Sequence, residues 1–332
     1  MSKNQITWFL AVVILLVLSA CGGGTQQGTA ADSTTDKPEL LIAEPVHGFG
    51  YLPLYIAVNK GFFEKVNVEM TTLAGGSAHT NAVLTGEAWA FIGGPEHNAF
   101  AKAKGADLRA IANVVNKGNV YLVSKDELTS GEDLASFVNG KTVVTGQYGG
   151  TPNSITRFLL EEWGLEVNKD VRLLEVENSA IPTIISEGQG DIAVVSDPIL
   201  EQGINEGIWN EPFYNVPNEL GPYAYSTINV RLDTIKDNPD EVIGFMEGLV
   251  KGLEFIQNNP EEALDIAKQE FPTMDETILE AMMTRALDDG HWEFSGEITE
   301  DSIIMNLKVV ENAGMLEEQI NYEDIVNPQF FE

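Results

Sequence analysis

Three of the four histidines in this 332-residue chain, His47, His79 and His97, fall in short segments rich in small residues that follow apolar runs. Glu44 lies just ahead of His47, and Glu96 adjoins His97. Imidazole beside carboxylate suits either a metal site or hydrogen-bond recognition of an organic ligand. Metal sites show tighter local spacing than these segments offer, so no metal and no cofactor are expected. Ser77 and Ser196 lack the Gly-x-Ser-x-Gly context of a nucleophile elbow. Gly149-Gly150-Thr151 lacks the lysine of a Walker phosphate loop. With no triad or paired-carboxylate spacing in view, the expectation is a binding site and not an enzyme. The candidate ligand contacts are Glu44, His47, Phe49, Gly76, Ser77, Glu96, Tyr148, Thr151 and Asp197. Backbone N–H groups at Gly76, Ser77 and Thr151 would donate hydrogen bonds, and Phe49 and Tyr148 would stack on a planar group. Glu44, Glu96 or Asp197 would accept from an amino group, although Asp197 suits a helix cap equally well.

The elements that must hold these residues alternate. Apolar runs at 40–43, 66–71, 88–92, 108–115 and 120–123 read as strands. Helical spacing at 52–59, 77–84 and 95–104 separates them. The pattern restarts with strands at 141–145, 171–176 and 191–195, helices at 151–163 and 180–187, and an extended stretch at 223–230. Helices at 241–257, 261–269, 275–287 and 300–313 follow. This βαβ rhythm implies mainly parallel sheets covered by helices. Leu84-Thr85-Gly86-Glu87-Ala88 leading to Pro95 is echoed by Ser186-Glu187-Gly188-Gln189-Gly190 leading to Pro198. One local structure per lobe makes a two-lobe α/β clamshell, with residues 38–122 plus 226–332 as one lobe and 123–225 as the other. Ligands in such sheets lie beyond the carboxyl ends of the strands, where all the candidate contacts fall.

The chain opens with a different kind of segment. Lys3 precedes an unbroken apolar run from Trp8 to Leu18, and Ser19-Ala20 lead to Cys21, the single cysteine. Eleven apolar residues are too few to span a bilayer and suit the hydrophobic region of a secretory signal. The stretch Leu18-Ser19-Ala20-Cys21 resembles the lipobox of bacterial lipoproteins. That resemblance implies cleavage after residue 20 and acylation of the Cys21 thiol. Residues 22–37 are small and polar, and read as a flexible tether. The expected location is extracytoplasmic, lipid-anchored to the bacterial cell membrane.

A formal charge of −32 argues against a nucleic-acid partner, whose phosphates are bound by Lys and Arg. Acidity of this size suits solubility.

Pro53-Leu54-Tyr55-Ile56-Ala57-Val58-Asn59-Lys60-Gly61-Phe62-Phe63 resembles the P-x-x-x-A-x-x-x-G-(F/Y)-F motif of substrate-binding proteins of ABC importers. The branch concerned handles nitrate, alkanesulfonates, taurine and thiamine pyrimidine precursors. Gly75-Gly76-Ser77, Leu84-x-x-Gly86-Glu87 and Ser196-Asp197-Pro198 are similar to the same branch. The resemblance implies a type II periplasmic-binding-protein fold whose lobes close on a small-molecule solute. It further implies docking on an importer permease with its ATPase. No arginine falls in the candidate loops, while Glu44 and Glu96 do. That favours a pyrimidine-type heteroaromatic over a sulfonate- or nitrate-type anion. A ligand sensor docking on a receptor and an extracytoplasmic enzyme on the same fold are the alternatives.

Overall fold

The computed structural model describes residues 37–329. The signal segment, Cys21 and all of the tether except Lys37 lie outside the described residues. The first half runs β1 (Glu39–Glu44), α1 (Leu52–Asn59), β2 (Asn67–Thr72), α2 (Ala78–Thr85), β3 (Ala90–Gly93), α3 (Glu96–Ala103), β4 (Leu108–Val115) and β5 (Tyr121–Ser124). Next come α4 (Leu134–Val138), β6 (Thr142–Gly146), α5 (Thr151–Glu162), β7 (Arg172–Val176), α6 (Ile181–Ser186), β8 (Ile192–Val195), α7 (Ile199–Asn205), β9 (Tyr214–Asn215) and α8 (Val216–Leu220). The chain ends with β10 (Ser226–Arg231), α9 (Leu232–Asp237), α10 (Pro239–Asn258), α11 (Pro260–Glu270), α12 (Glu276–Asp288), α13 (Glu300–Asn312) and α14 (Tyr322–Ile325).

Two five-stranded sheets share one design, with orders β2-β1-β3-β10-β4 and β7-β6-β8-β5-β9. In each, the first three strands are parallel neighbours and the fourth runs antiparallel to the strands beside it. That fourth strand is where the chain changes lobe. β5 follows β4 of the first sheet but pairs with β8, and β10 follows the second-lobe elements but pairs with β3. A chain crossing between facing carboxyl edges must enter its new sheet from that edge, so it runs back against the parallel strands. The internal echo in the sequence has a structural meaning: β3 and β8 hold the same third position in their sheets and are buried throughout.

Local chemistry sets the ends of the elements. Pro53, Pro152, Pro239 and Pro260 occupy first turns of helices, where a missing N–H costs nothing. Asp133, Asp275 and Thr299 cap α4, α12 and α13 with side-chain oxygens. α1 ends with Phe62 N–H on the Ala57 carbonyl and Gly61 N–H on that of Val58, a glycine-ended stop. The next residue, Phe63, stacks on Phe245 of α10 with ring centres 5.3 Å apart, so this motif ties α1 to the first-lobe core. The outer edge of β4 is covered by single bridges from Val326 and Trp292, which removes an exposed strand edge. No described helix is long and apolar enough to cross a membrane.

Candidate functional site

A cavity of about 130 Å³ lies where the carboxyl ends of the two sheets meet. The first sheet supplies Pro45 and Val46 after β1, Gly75 and Gly76 after β2, and Gly93 and Gly94 at the end of β3. The second supplies Gly146 and Gln147, Gly150 and Thr151, Val176 to Asn178, and Ser196 with Asp197. The two crossovers complete the wall with Asn119 ahead of β5 and Tyr225-Ser226 at β10. Loops of both lobes meet closely above it: a Cβ placed on Gly76 would come within 3.0 Å of the Tyr148 carbonyl oxygen.

Gly76, Thr151 and Asp197 line this cavity, each from one of the loops singled out in the sequence. Ser77 and Tyr148 instead line a neighbouring groove with Phe100, Lys104 and Met315. Ser77 holds the N-cap position of α2 without a side-chain capping bond, and Tyr148 is 57% exposed with the Arg157 guanidinium over its ring. Phe49 is buried and packs against Phe271 and Trp292 at ring distances of 6.2 and 6.1 Å. Glu44 is buried behind the cavity wall. It accepts from the Tyr55 hydroxyl at 2.6 Å and the Thr72 hydroxyl at 2.7 Å, and faces His47 Nδ1 at 3.2 Å. His47 lies flat on Tyr55 at 4.6 Å, and its hydrogen bond to Glu44 raises its pKa. Glu96, wholly buried, accepts from the Thr151 hydroxyl across the lobes and from Asn306 Nδ2 at 2.8 Å.

The cavity also brings in residues outside the sequence-based candidates: Tyr51, His79, His97, Asn119, Glu177, Asn178, Tyr225 and Ser226. His79 and His97 carried a signal, since both sit in the glycine-rich segments. Asn119 and Tyr225 carried none, because their position depends on how the crossover strands pair.

The electrostatics are those of a wall without basic side chains. No Lys or Arg is among the lining residues, while Glu177 and Asp197 are. Burial pushes the Asp197 carboxyl up to about 7, helped by the nearby Glu201 and opposed by Arg285. Burial holds His79 down to about 2 and also lowers His97, so both rings are neutral. Burial likewise keeps the Tyr51 and Tyr225 phenols protonated. Such a surface offers neutral hydrogen-bonding groups and carboxylates to whatever it encloses. Among the described residues, no group of three or more His, Cys, Asp or Glu is arranged to hold a metal ion.

Further bonds join the two halves. Tyr121 of β5 donates to Asp289 at 2.6 Å, and Asn215 and Asn218 donate to the same carboxylate at 3.0 and 3.1 Å. Arg285 of α12 reaches Glu201 of α7 with Nε at 3.0 Å.

Known proteins are similar to this chain in sequence or in fold. YtlA of Bacillus subtilis (strain 168), provisionally named a binding protein, is 23% identical over 97% of this chain and 94% of its own length. A Uromyces fabae protein named 4-amino-5-hydroxymethyl-2-methylpyrimidine phosphate synthase is 25% identical over 68% of this chain and 69% of its own. The alkanesulfonate-binding protein SsuA of Xanthomonas axonopodis pv. citri, solved with MOPS, superposes with a TM-score of 0.71 at 14% identity. That match covers 88% of this chain and 99% of SsuA, and it shows the periplasmic-binding-protein fold. Residues 49–263, more than half of the chain, match the family model described as NMT1/THI5 like, and the chain belongs to the NMT1/THI5-like family.

Proposed function

We propose that this protein is an extracytoplasmic solute-binding lipoprotein that captures a small organic solute between its lobes and delivers it to the permease of an ABC importer. The observation that carries the reading is the cavity itself, walled by the carboxyl ends of two sheets and by both crossovers. Closing two lobes on a solute would bury it against loops from each. A binding role is favoured over catalysis by the make-up of the wall. No cysteine or lysine lines it, and among the described hydrogen bonds none joins a lining Ser or Thr hydroxyl to a lining histidine. In this reading residues 38–122 with 226–332 move against 123–225, and Cys21 carries the lipid that holds the protein on the membrane face.

For the solute, the absence of Lys and Arg from the lining and the presence of Glu177 and Asp197 favour an amino-bearing heteroaromatic of pyrimidine type. A sulfonate- or nitrate-type anion is the second reading. It is favoured by Gly150 and Thr151, which place the start of the twelve-residue α5, the positive end of its dipole, at the cavity wall. Calorimetry with 4-amino-5-hydroxymethyl-2-methylpyrimidine, ethanesulfonate and nitrate tests both, alongside native mass spectrometry for a co-purified molecule. Binding accompanied by small-angle scattering compaction supports capture. Steady turnover of a probe, or saturable binding with no compaction, counts against it.

A further inference from the structure

His79 sits in the first turn of α2 and is 2% exposed, yet neither ring nitrogen has a hydrogen-bond partner. The ring is clamped edge-on, 5.1 Å from Phe91 and 4.8 Å from His97. It stands directly over Gly93 at the end of β3, where an added Cβ would come within 2.9 Å of Nε2. Any side chain at 93 would therefore displace the imidazole, so glycine there keeps the ring against the cavity that both residues line. Asn119, on the crossover into β5, lines the same cavity, is 7% exposed, and its Oδ1 is also without a partner. Buried polar groups are ordinarily satisfied, and leaving several unmade in one wall is costly.

We propose that His79 is the specificity-determining residue of this cavity, reading together with Asn119 an uncharged solute that carries two N–H donors beside an acceptor, as in a primary amide or an aminopyrimidine. This rests on the solute-binding reading and narrows it. A neutral imidazole offers one N–H donor and one bare acceptor nitrogen, and Asn119 Oδ1 adds a second acceptor. A solute with two N–H donors and one acceptor satisfies that set. Nitrate or a sulfonate satisfies neither acceptor, and the depressed titration of both histidines leaves no positive charge in the wall to offset it.

The test uses the full chain with cytosine, nicotinamide and 4-amino-5-hydroxymethyl-2-methylpyrimidine as uncharged probes, and nitrate and ethanesulfonate as anions. His79→Leu removes both nitrogens at similar volume, and His79→Gln restores a donor and an acceptor. The wild type is expected to bind at least one uncharged probe. His79→Leu should weaken that binding about tenfold or more, and His79→Gln should recover most of it. Nitrogen-15 NMR of the wild type provides a readout that needs no variant to fold: the His79 ring resonances should shift when the probe is added. Equal affinity of wild type and His79→Leu, or unmoved His79 resonances at saturation, overturns the proposal. Binding of anions with no uncharged probe overturns it too while leaving solute capture intact. Failure of every probe removes both readings together.

Discussion

Thr151 opens α5 in one lobe and donates its hydroxyl to Glu96, a wholly buried carboxylate at the start of α3 in the other. The same carboxylate takes a second bond from Asn306 of α13 at 2.8 Å. Thr151 also lines the cavity, so one residue touches both the enclosed space and the seam that encloses it. Thr151→Val keeps the shape and deletes the donor, leaving a buried carboxylate oxygen unmatched. The expected cost is about 1–3 kcal/mol in urea unfolding, with Thr151→Ser close to wild type. Equal stability of the Val variant would show that the seam is indifferent to this bond.

Arg285 and Glu201 form a second bond between the two halves. Glu201 is 7% exposed, and its carboxylate receives Nε of Arg285 at 3.0 Å. Removing one partner of a buried pair strands the other charge. Arg285→Met is therefore expected to destabilise by about 3 kcal/mol, while Arg285→Met with Glu201→Gln should recover a large part of that. Denaturant midpoints for the four proteins of this cycle measure the coupling. A double variant no more stable than Arg285→Met would place the loss in packing.

Much of this was legible from the chain alone, for a physical reason that particular residues make plain. Apolar runs such as 88–92 and 108–115 mark strands that must be buried on both faces, and glycine-rich segments after them mark carboxyl ends, so the loops around Gly76, Thr151 and Asp197 could be located. Direction within a loop could not. Phe49, Glu44 and Tyr55 lie close together in sequence, and none of them lines the cavity: Phe49 packs against Phe271 and Trp292, more than 200 residues away, and the Tyr55 hydroxyl donates to Glu44. The crossovers were harder still. Val120 to Val123 and Tyr223 to Val230 read simply as extended chain, and only pairing across the sheets puts Asn119 and Tyr225 in the cavity wall.

Asp197 gives the site a pH dependence with a definite sign. Burial raises its pKa from an ordinary 3.8 to about 7, so the folded protein holds a proton there that the unfolded chain has released. Its contribution to stability therefore falls as pH rises from about 4 to about 7. Asp197→Asn abolishes that titration, and the variant should gain on wild type across this window and track it in parallel above it. An amino-bearing probe should bind wild type more tightly as pH passes through about 7, and Asp197→Asn without that step. Parallel stability curves from pH 4 to 7 would place this carboxyl in water.

Buried histidines act in the other direction. His79 is held down to about 2 and His291 to about 4, and His97 is lowered as well, each mainly by burial. These groups are neutral in both folded and unfolded protein above about pH 6.5. Below it the unfolded chain takes up protons that the folded protein refuses, so stability is lost as pH falls from about 6.5 toward 4. Three histidines oppose Asp197 and His47, whose pKa is raised by its hydrogen bond to Glu44, and net acid destabilisation is expected between about pH 6.5 and 5. The chain's formal charge of −32 also titrates there, so unfolding is best followed in about 1 M salt, where the Debye length is about 3 Å. A urea midpoint that stays level or rises over this interval would mean that the rings are charged in the folded state.

Membrane attachment tests the reading of the first 37 residues. The apolar run Trp8 to Leu18 ahead of Ser19-Ala20-Cys21 leaves one thiol in the chain available for acylation. Each buried methylene contributes about 0.8 kcal/mol, so two or three acyl chains anchor a protein stably where a single chain is marginal. Surface charge offers no substitute anchor, because a chain of formal charge −32 is repelled by anionic lipid. Cys21→Ala is therefore expected either to release the protein into the soluble fraction or to leave the uncleaved precursor, with the binding domain folded in both cases. Intact-mass measurement of the wild type should show loss of residues 1–20 and a gain of diacylglyceryl mass on Cys21. Membrane fractionation and mass unchanged between wild type and Cys21→Ala would remove the lipid anchor from the proposed function and leave solute capture to stand on the cavity alone.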